Sequence, residues 1–254
     1  MNSQSIAYAG LHPSLEGARA VVFDVGGTLL HPDWSRLARV AAAAIGRQFT
    51  PDELRRTMKE VLRAVAVELE SGKEPFMSER RPNWLFRRIY HTLGVEREKC
   101  ELLSEPMLAA HTERHLWCDL DPEARPLVEE LKSRGFLTAV ISNTEDGRLE
   151  ELLELTGLAD LFDARFDSFV VGIHKPDTRI FRLALERLGV EAGEAVYVGD
   201  SYAHDALPAL AAGMRAVLLD PLDLHTGSVC PRIHALGELG AGATPAGEAP
   251  YAAV

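Results

Sequence analysis

Residues 21–30 spell VVFDVGGTLL, an apolar run that ends on one aspartate and continues into two glycines and a threonine. The segment 18–25, ARAVVFDV, is short, apolar and rich in β-branched residues, which predicts a buried strand. Asp24 therefore lies at the end of a strand that the protein interior surrounds. Because a buried carboxylate is costly unless its charge is compensated, this position indicates a chemical use.

A long helical stretch follows this strand. From residue 34 to residue 118 the apolar residues recur at helical spacing, and no strand pattern interrupts them. Within this stretch, the segment 50–70 begins with Thr50 as the predicted N-cap, a proline at the first helical position and Glu53 three residues after the cap. We therefore predict that residues 34–118 form an all-α insertion after the first strand.

Beyond residue 119 the pattern alternates between apolar runs and amphipathic segments, which predicts βαβ units and a parallel sheet. The predicted strands are 136–143, 164–171, 195–200 and 214–220, with a last short strand and a helical turn in 231–239. The predicted fold class is α/β, a Rossmann-like parallel sheet core with helices on both faces and the inserted all-α segment. The core comprises residues 1–33 and 119–240, in which we expect 1–18 to be a loose leader, and we expect 241–254 to be a disordered tail.

The bulk composition excludes some classes of partner. The formal net charge is −11 with a pI near 5.3, which argues against a nucleic acid or an anionic membrane as the main partner. A small anionic substrate remains compatible, because a metal ion can reverse the sign of the charge in one pocket. The three cysteines form no CxxC pair, so we expect neither disulfides nor zinc, and a reducing, cytoplasmic location. We see no signal peptide and no apolar run near the ~20 residues of a membrane span.

Polar residues stand where the predicted strands and their following loops end. They are Asp24 after VVF, Ser142 and Asn143 after AVI, Lys175 in IHKPD, and Asp200 after AVYVG. Ligands of open parallel sheets bind beyond the carboxyl ends of the strands, so we expect these residues to converge. Each one alone is also compatible with the N-cap of the next helix or with a solvated loop. Two carboxylates, a hydroxyl and a lysine from a lysine-poor chain together favour a reactive site.

Phosphoryl transfer through a covalent aspartyl intermediate is a chemistry that uses all of these groups. A carboxylate such as Asp24 can serve as the nucleophile. A divalent cation held by Asp24 and Asp200 reduces the repulsion between this nucleophile and the phosphate. Ser142 supplies a donor for the transferred oxygens, and Lys175 supplies a fixed positive charge beside the nucleophile.

Four motifs, in this order, resemble those of the haloacid dehalogenase (HAD) superfamily of hydrolases. They are FDVGGTLL, VISN, IHKPDTRIF and VGDSYAHD. The resemblance extends from about residue 19 to residue 239, and the helical insertion at 34–118 resembles the C1 cap of that superfamily.

The resemblance implies a role for each motif residue. Asp24 is implied to be the nucleophile and a Mg²⁺ ligand, Lys175 to steady it, and Asp200 to complete the metal site. The other implied metal-site residues are Gly26, through its backbone carbonyl, and Asp205, through water or hydrogen bonds. The implied phosphate-binding residues are Ser142, Asn143, Gly27 and Thr28. The implied cofactor is Mg²⁺, and the implied partner is a small phosphorylated substrate.

Gly26 departs from the DxDGT pattern that phosphatases of the superfamily usually carry. The second aspartate of that pattern protonates the leaving oxygen and then activates water, and such a group is typically worth ~10²–10⁴ in rate. Three interpretations stay open. The favoured one is a Mg²⁺-dependent phosphatase that is slow or acts on esters and anhydrides with good leaving groups. The others are a catalytically degenerate binding protein and a metal-independent 2-haloacid dehalogenase, in which Asp24 attacks carbon.

Two histidines and four arginines are expected to have no catalytic role. His31 is a conceivable substitute proton donor, but its place before a proline predicts an exposed loop histidine. We expect His204 to be a surface or N-cap histidine. The arginines that flank Trp84 are expected to form a solvated helix face rather than a substrate contact; they are Arg80, Arg81, Arg87 and Arg88. The sequence leaves the substrate and the oligomeric state open.

Overall fold

A parallel sheet lies at the centre of the chain that the computed structural model describes, residues 6–73 and 83–240. The strands are β1 (Ala20–Phe23), β2 (Leu30–His31), β3 (Asp119–Leu120), β4 (Leu137–Ser142), β5 (Ala164–Asp167), β6 (Ala195–Gly199), β7 (Arg215–Leu219) and β8 (Arg232–Ile233). Six of them form one sheet in the order β5–β4–β1–β6–β7–β8, and each neighbouring pair is parallel. This architecture confirms the predicted α/β class. Arg80, Arg81 and the predicted tail 241–254 lie outside the described residues.

The helices of the described residues form two groups along the chain, one before residue 119 and one after it. They are α1 (Trp34–Ile45), α2 (Pro51–Glu70), α3 (Trp84–Thr92), α4 (Arg97–Leu102), α5 (Ser104–Glu113), α6 (Ala124–Ser133), α7 (Leu149–Leu155), α8 (Ser168–Val171), α9 (Thr178–Leu188) and α10 (Leu207–Ala211). The chain divides into two compact units, Pro32–Asp119 on the one hand and Met1–His31 with Leu120–Val254 on the other. None of the helices among the described residues combines the length and the apolar character that crossing a bilayer requires.

The unit Pro32–Asp119 contains α1 to α5, and its described residues 34–73 and 83–118 include no strand. Helix α2 begins with the capping box that the sequence predicts. The Thr50 hydroxyl accepts the Glu53 N–H at 3.1 Å, and the Glu53 carboxylate accepts the Thr50 N–H at 2.7 Å. These two bonds satisfy backbone donors that the first turn would otherwise leave open. The apolar faces of the five helices enclose a core of their own.

The other unit is built around β1, whose four residues are all fully buried. Ala20 and Val22 pack in one cluster with Phe181 of α9. Phe23, which points to the opposite face by the alternation of a strand, lies edge-on to Phe162 with ring centroids 6.5 Å apart. Burial on both faces explains why this strand is a continuous apolar run in the sequence, as is typical of parallel sheets.

The predicted loose leader needs correction in its described part. Residues Pro13–Leu15 form a 3-10 turn, and Leu15 is fully buried. The guanidinium of Arg215 on β7 donates to the carbonyl oxygens of Ser14 and Glu16, at 3.1 and 2.7 Å. An apolar anchor and these hydrogen bonds hold this segment to the α/β unit.

The predicted strand 164–171 is also too long. Strand β5 ends at Asp167, and the residues after it form the short helix α8. The Asp167 carboxylate accepts the Phe169 N–H at 2.9 Å, which is the N-cap arrangement that begins a helix. The apolar residues of α8 resemble a strand in sequence, but the cap turns them into a helix.

Candidate active site

The central strands of the sheet bring three of the candidate residues to one edge. Asp24 directly follows β1, Ser142 is the last residue of β4, and Asp200 directly follows β6. Phe23 is in register with Val198 of β6, and the Asp24 N–H donates to the Val198 carbonyl at 2.9 Å. The parallel register therefore fixes the backbone of Asp24 beside the end of β6.

Lys175 reaches this edge from a loop between α8 and α9. Its ammonium nitrogen lies 2.6 Å from Asp24 Oδ1, 2.5 Å from Asp205 Oδ1 and 3.1 Å from the Tyr197 hydroxyl. Burial acts to lower the pKa of Lys175, but the carboxylates of Asp205 and Asp24 raise it well above its usual value, so the ammonium stays charged. Lys175 thus gives Asp24 a fixed positive neighbour.

Asn143 holds the backbone of Lys175. Its amide nitrogen donates to the Lys175 carbonyl at 3.0 Å, and its amide oxygen accepts the Lys175 N–H at 2.9 Å. Both polar atoms of the side chain are therefore engaged with one residue. The structure adds this positioning contact, and the second N–H of the amide stays compatible with the phosphate contact that the resemblance implies.

Tyr197 is a member of the site that the sequence analysis missed. It lies on β6, is fully buried, and its hydroxyl contacts Lys175 Nζ and Asp205 Oδ1, each at 3.1 Å. Burial, together with the charge of Asp205, raises the pKa of Tyr197 well above its usual value, so the phenol keeps its proton. A tyrosine inside a central apolar strand was the available signal, because a buried hydroxyl needs a polar partner.

The turn after β1 explains why residues 27 and 28 are a glycine and a threonine. The Thr28 hydroxyl is fully buried and donates to Asp24 Oδ2 at 3.2 Å. The Gly27 N–H donates to the Leu30 carbonyl at 2.8 Å, and Gly27 has a φ of +95°. A Cβ on Gly27 would lie 2.2 Å from Asp200 Oδ2, so glycine here lets Asp200 approach the turn.

These contacts change the set of phosphate-binding candidates. The Gly27 amide and the Thr28 hydroxyl donate within the turn, as described above, and Asn143 is engaged with Lys175. Ser142 is buried, and no hydrogen bond to its hydroxyl is formed by residues 6–73 and 83–240. Ser142 therefore keeps a hydroxyl donor for a ligand and Asn143 keeps its second amide N–H, whereas the Gly27 amide and the Thr28 hydroxyl donate to protein groups.

The two aspartates of the fourth motif differ in their surroundings. Both oxygens of Asp205 are engaged, Oδ1 with Lys175 and Tyr197 and Oδ2 with the Ser201 N–H at 2.9 Å. Within the described part of the chain, the Asp200 side chain has no partner on another residue. A Cβ on Gly199 would lie 2.5 Å from Asp205 Cγ, so Gly199 admits Asp205 beneath the site. Asp200 is consequently the more available of the two as a direct metal ligand.

Asp24, Asp200 and Asp205 form a cluster in which one oxygen of each lies within 4.8 Å of the others. Lys175 is the cation in contact with this cluster among the described residues, so full ionisation leaves two negative charges uncompensated. Burial raises the pKa of Asp24 to about 6 against the opposing charge of Lys175, and burial also raises the pKa of Asp200, with Asp24 acting in the same direction. An oxygen-rich, negatively charged pocket fits a hard divalent cation such as Mg²⁺.

The expectation for His31 is wrong, and that for His204 needs refinement. His31 is buried on β2, and its Nε2 lies 2.9 Å from Asp121 Oδ2. His204 is half-buried in a π-helical turn, Tyr202–Ala206, that Ser201 caps. Its Nδ1 lies 3.2 Å from the Ser201 hydroxyl, and burial lowers the pKa of this histidine.

The expected solvated helix face is wrong for the two arginines of α3. Arg87 and Arg88 are both buried. Arg87 Nη1 donates to Glu101 at 3.0 Å, and Arg88 donates to the two carboxylate oxygens of Glu68 at 2.7 and 2.8 Å. Glutamates on α2 and α4 compensate the two charges, which allows this charged face to pack inside the helical unit.

Comparisons with known proteins identify relatives of this chain. The chain is 30% identical over 207 residues to glyceraldehyde 3-phosphate phosphatase of Methanothermobacter thermautotrophicus, which covers 80% of this chain and 85% of that protein. It is 43% identical over 111 residues to mouse haloacid dehalogenase-like hydrolase domain-containing protein 3, or 42% of this chain and 44% of that protein. That match therefore spans less than half of the mouse protein. The motif forms DVxxTLL and GDxYxxD of this chain also resemble the branch of the family that is named for haloacid dehalogenase-like hydrolase domain-containing protein 3.

A solved structure shows the same fold. A Bacillus subtilis HAD hydrolase, crystallised with magnesium, superimposes with a TM-score of 0.65 at 22% identity over 87% of this chain and 96% of that chain. A family model for haloacid dehalogenase-like hydrolases matches residues 18–213, a range that contains the cluster, Lys175 and Ser142. On this basis the chain belongs to the haloacid dehalogenase-like hydrolase family.

Proposed function

We propose that this protein is a Mg²⁺-dependent phosphohydrolase that acts on a small phosphorylated metabolite through a covalent aspartyl-phosphate. The observation that carries the proposal is the 2.6 Å contact between Lys175 Nζ and Asp24 Oδ1 within a cluster of three aspartates. A buried carboxylate with a fixed cation beside it meets the requirements of an oxygen nucleophile. The excess of negative charge in the same cluster supports a divalent cation as cofactor.

The chain supplies the nucleophile and the groups that hold it, whereas Gly26 offers no side chain to protonate the leaving oxygen or to activate water. Asp24 attacks phosphorus, and the bond from phosphorus to the leaving oxygen breaks with its electron pair on that oxygen. Water then attacks the phosphorus of the aspartyl-phosphate, the bond from phosphorus to Asp24 breaks with its electron pair on the carboxylate, and both protons of the water leave on the inorganic phosphate. Lys175 and Thr28 hold the two oxygens of Asp24 in place, and Ser142 offers its hydroxyl to the transferred group.

The residues that would hold Mg²⁺ are Asp24, Asp200 and the backbone carbonyl of Gly26, with Asp205 in support. When bound, the cation supplies positive charge that offsets the repulsion between the nucleophile and the phosphate. Asp205 is already engaged with Lys175 and Tyr197, so its support acts by orienting these neighbours.

Gly26 determines which leaving groups this site handles well. An alkyl phosphate leaves as a strongly basic alkoxide, which needs a proton in the transition state, whereas an aryl or acyl phosphate leaves as a weak base. Loss of a general acid removes roughly 3–5 kcal/mol of barrier lowering. We therefore propose that the substrate is a small phosphorylated compound with a good leaving group. The relationship to a glyceraldehyde 3-phosphate phosphatase supports the small size of the metabolite and not its leaving group, because glyceraldehyde 3-phosphate is itself an alkyl phosphate.

The test is a comparison of leaving groups. Purified protein is assayed with p-nitrophenyl phosphate, acetyl phosphate and a sugar phosphate, each with Mg²⁺ and with EDTA. We expect Mg²⁺-dependent hydrolysis of the first two, with rates at least about 10²-fold above that of the sugar phosphate. Equal rates for all three would contradict the role assigned to Gly26, because another acid would then be present.

Two neighbouring glycines provide matched variants for this test. Gly26 lies outside the left-handed region, so an aspartate is compatible with its backbone, and Gly26→Asp is expected to raise sugar phosphate turnover by about tenfold or more. Gly27→Ala is expected to abolish turnover, because its Cβ would collide with Asp200.

Two other outcomes would replace the proposal. Binding of Mg²⁺ without turnover of any phosphate would favour a degenerate binding protein. Halide release from a 2-haloacid that EDTA does not affect would favour a dehalogenase.

A further inference from the structure

Tyr197 is a buried polar residue of the α/β unit whose hydroxyl contacts the side chains of Lys175 and Asp205 and the Ile141 carbonyl. The ring packs edge-on against Phe181 of α9, with centroids 5.0 Å apart, inside the apolar cluster of that face. A phenylalanine would fill the same volume without the cost of burying a hydroxyl. The hydroxyl therefore has a use that apolar packing does not explain.

The contacts of Lys175 indicate what that use is. An ammonium has three N–H donors and no acceptor. One donor points to Asp24 Oδ1 at 2.6 Å, one to Asp205 Oδ1 at 2.5 Å and the third to the Tyr197 hydroxyl at 3.1 Å. The phenol thus takes the donor that neither carboxylate uses, and its own proton is directed to Asp205 Oδ1, also at 3.1 Å, or to the Ile141 carbonyl at 3.4 Å.

We propose that Tyr197 is a positioning residue that fixes the rotation of the Lys175 ammonium, so that one N–H stays directed at Asp24. Removal of the hydroxyl leaves one donor of a buried ammonium without its partner. The ammonium is then free to rotate or shift toward Asp205, and the hydrogen bond to Asp24 weakens. The catalytic consequence rests on the proposed function, whereas the contact itself does not.

The kinetic test compares two tyrosines. Tyr197→Phe is expected to lower kcat for p-nitrophenyl phosphate by about ten- to hundredfold, the effect of losing one hydrogen bond to a charged group. KM is expected to stay within about twofold, because Tyr197 is buried away from the substrate. The matched control is Tyr90→Phe in the helical unit, which also removes a buried hydroxyl, one that donates to the Leu37 carbonyl at 2.8 Å. This control is expected to lose stability and to keep its kcat.

A second measurement does not need turnover. The ammonium of Lys175 is followed by ¹H–¹⁵N spectroscopy of protein with ¹⁵N-labelled lysine. The chain has only five lysines, and Lys175 is the buried one. Its signal is identified by its loss in Lys175→Arg. We expect Tyr197→Phe to shift this signal and to speed its exchange with water, and Tyr90→Phe to leave it unchanged.

The two measurements separate the inference from the proposed function. An unchanged ammonium signal in Tyr197→Phe, or a kcat within about twofold of that of Tyr90→Phe, would overturn the positioning role. A wild-type protein without phosphatase activity, together with a shifted signal in Tyr197→Phe, would overturn the proposed function and leave the contact established.

Discussion

Arg87 and Arg88 are buried in the helical unit, and three aspartates cluster in the α/β unit, but their charges are compensated differently. Arg88 donates to both oxygens of Glu68, and Arg87 is paired with Glu101 at 3.0 Å. Each of these arginines therefore contacts a glutamate, and Nε and Nη2 of Arg87 are buried without a hydrogen-bond partner among the described residues. A structural role in the packing of the helical unit explains these pairs.

The cluster in the α/β unit is not balanced in this way. Asp24 and Asp205 share the ammonium of Lys175, and Asp200 has no cationic partner among the described side chains. Full ionisation of such a cluster requires positive charge from outside the chain. Charge balance, rather than burial alone, thus separates the structural ion pairs of this protein from its candidate active site.

The largest expected effect comes from a substitution of Asp24, at the centre of the aspartate cluster. Asp24→Asn removes the nucleophile and is expected to lower phosphatase turnover by at least about 10³-fold, measured with p-nitrophenyl phosphate and Mg²⁺. The matched control is Asp163→Asn, the same change at a partly exposed pair with Lys132, which is expected to keep full activity. Turnover that survives in Asp24→Asn would mean that another group attacks the substrate.

The second effect concerns a balanced pair. Glu68→Gln removes the negative charge that accepts two hydrogen bonds from the buried guanidinium of Arg88, and we expect the free energy of unfolding to fall by about 1.5–3 kcal/mol. The control is Glu113→Gln, where the carboxylate that pairs with Arg36 is 81% exposed, and there the fall should stay below about 0.5 kcal/mol. Chemical denaturation of both variants measures the difference, and equal losses would contradict the structural role of the buried pair.

The sequence predicted the strand-end residues of the site, because a simple rule covers them. Parallel strands carry their ligand sites at their carboxyl ends, so Asp24, Ser142 and Asp200 could be assigned to one edge before any coordinates. Lys175 was singled out because lysine is scarce in this chain. The fold class followed from the alternation of apolar runs and helices, which is a local pattern.

The residues that the sequence analysis misassigned depend on partners that are distant in the chain. His31 is buried and contacts Asp121, which lies 90 residues later in the chain. No local sequence pattern reveals such a pair. Arg88 was expected to be solvated, since charged residues on a helix usually are, but Glu68 of α2 compensates it. The contact of Asn143 with the backbone of Lys175, 32 residues later, was likewise not visible in any local pattern.

The third effect is a pH dependence of stability in metal-free protein. Burial raises the pKa of Asp24 from 3.8 to about 6, so protonation of this group stabilises the fold at low pH. That contribution is fully present below the unfolded pKa and is lost as the pH rises through about 6. We expect the free energy of unfolding in EDTA to fall by about 1–3 kcal/mol between pH 4 and pH 7.

Asp24→Asn is the control for this pH effect, because its amide does not titrate. The fall in stability between pH 4 and pH 7 should be smaller in the variant, and at pH 7 the variant should be more stable than the wild type. If denaturation experiments gave the same fall in the free energy of unfolding between pH 4 and pH 7 for the wild type and for Asp24→Asn, Asp24 would not carry an unfavourable charge in the folded protein.

The smallest effect tests the missing positive charge directly. Mg²⁺ at ten times its dissociation constant stabilises a protein by about 1.4 kcal/mol, and Asp200→Asn is expected to lose most of this gain, because Asp200 is the carboxylate without a cation of its own. Asp220→Asn is the matched control, since Asp220 follows β7 as Asp200 follows β6 but is paired with Arg232 at 2.9 Å. Denaturation with Mg²⁺ or with NaCl of equal ionic strength separates binding from screening. A Mg²⁺ response that survives in Asp200→Asn would mean that the unbalanced charge does not mark the metal site.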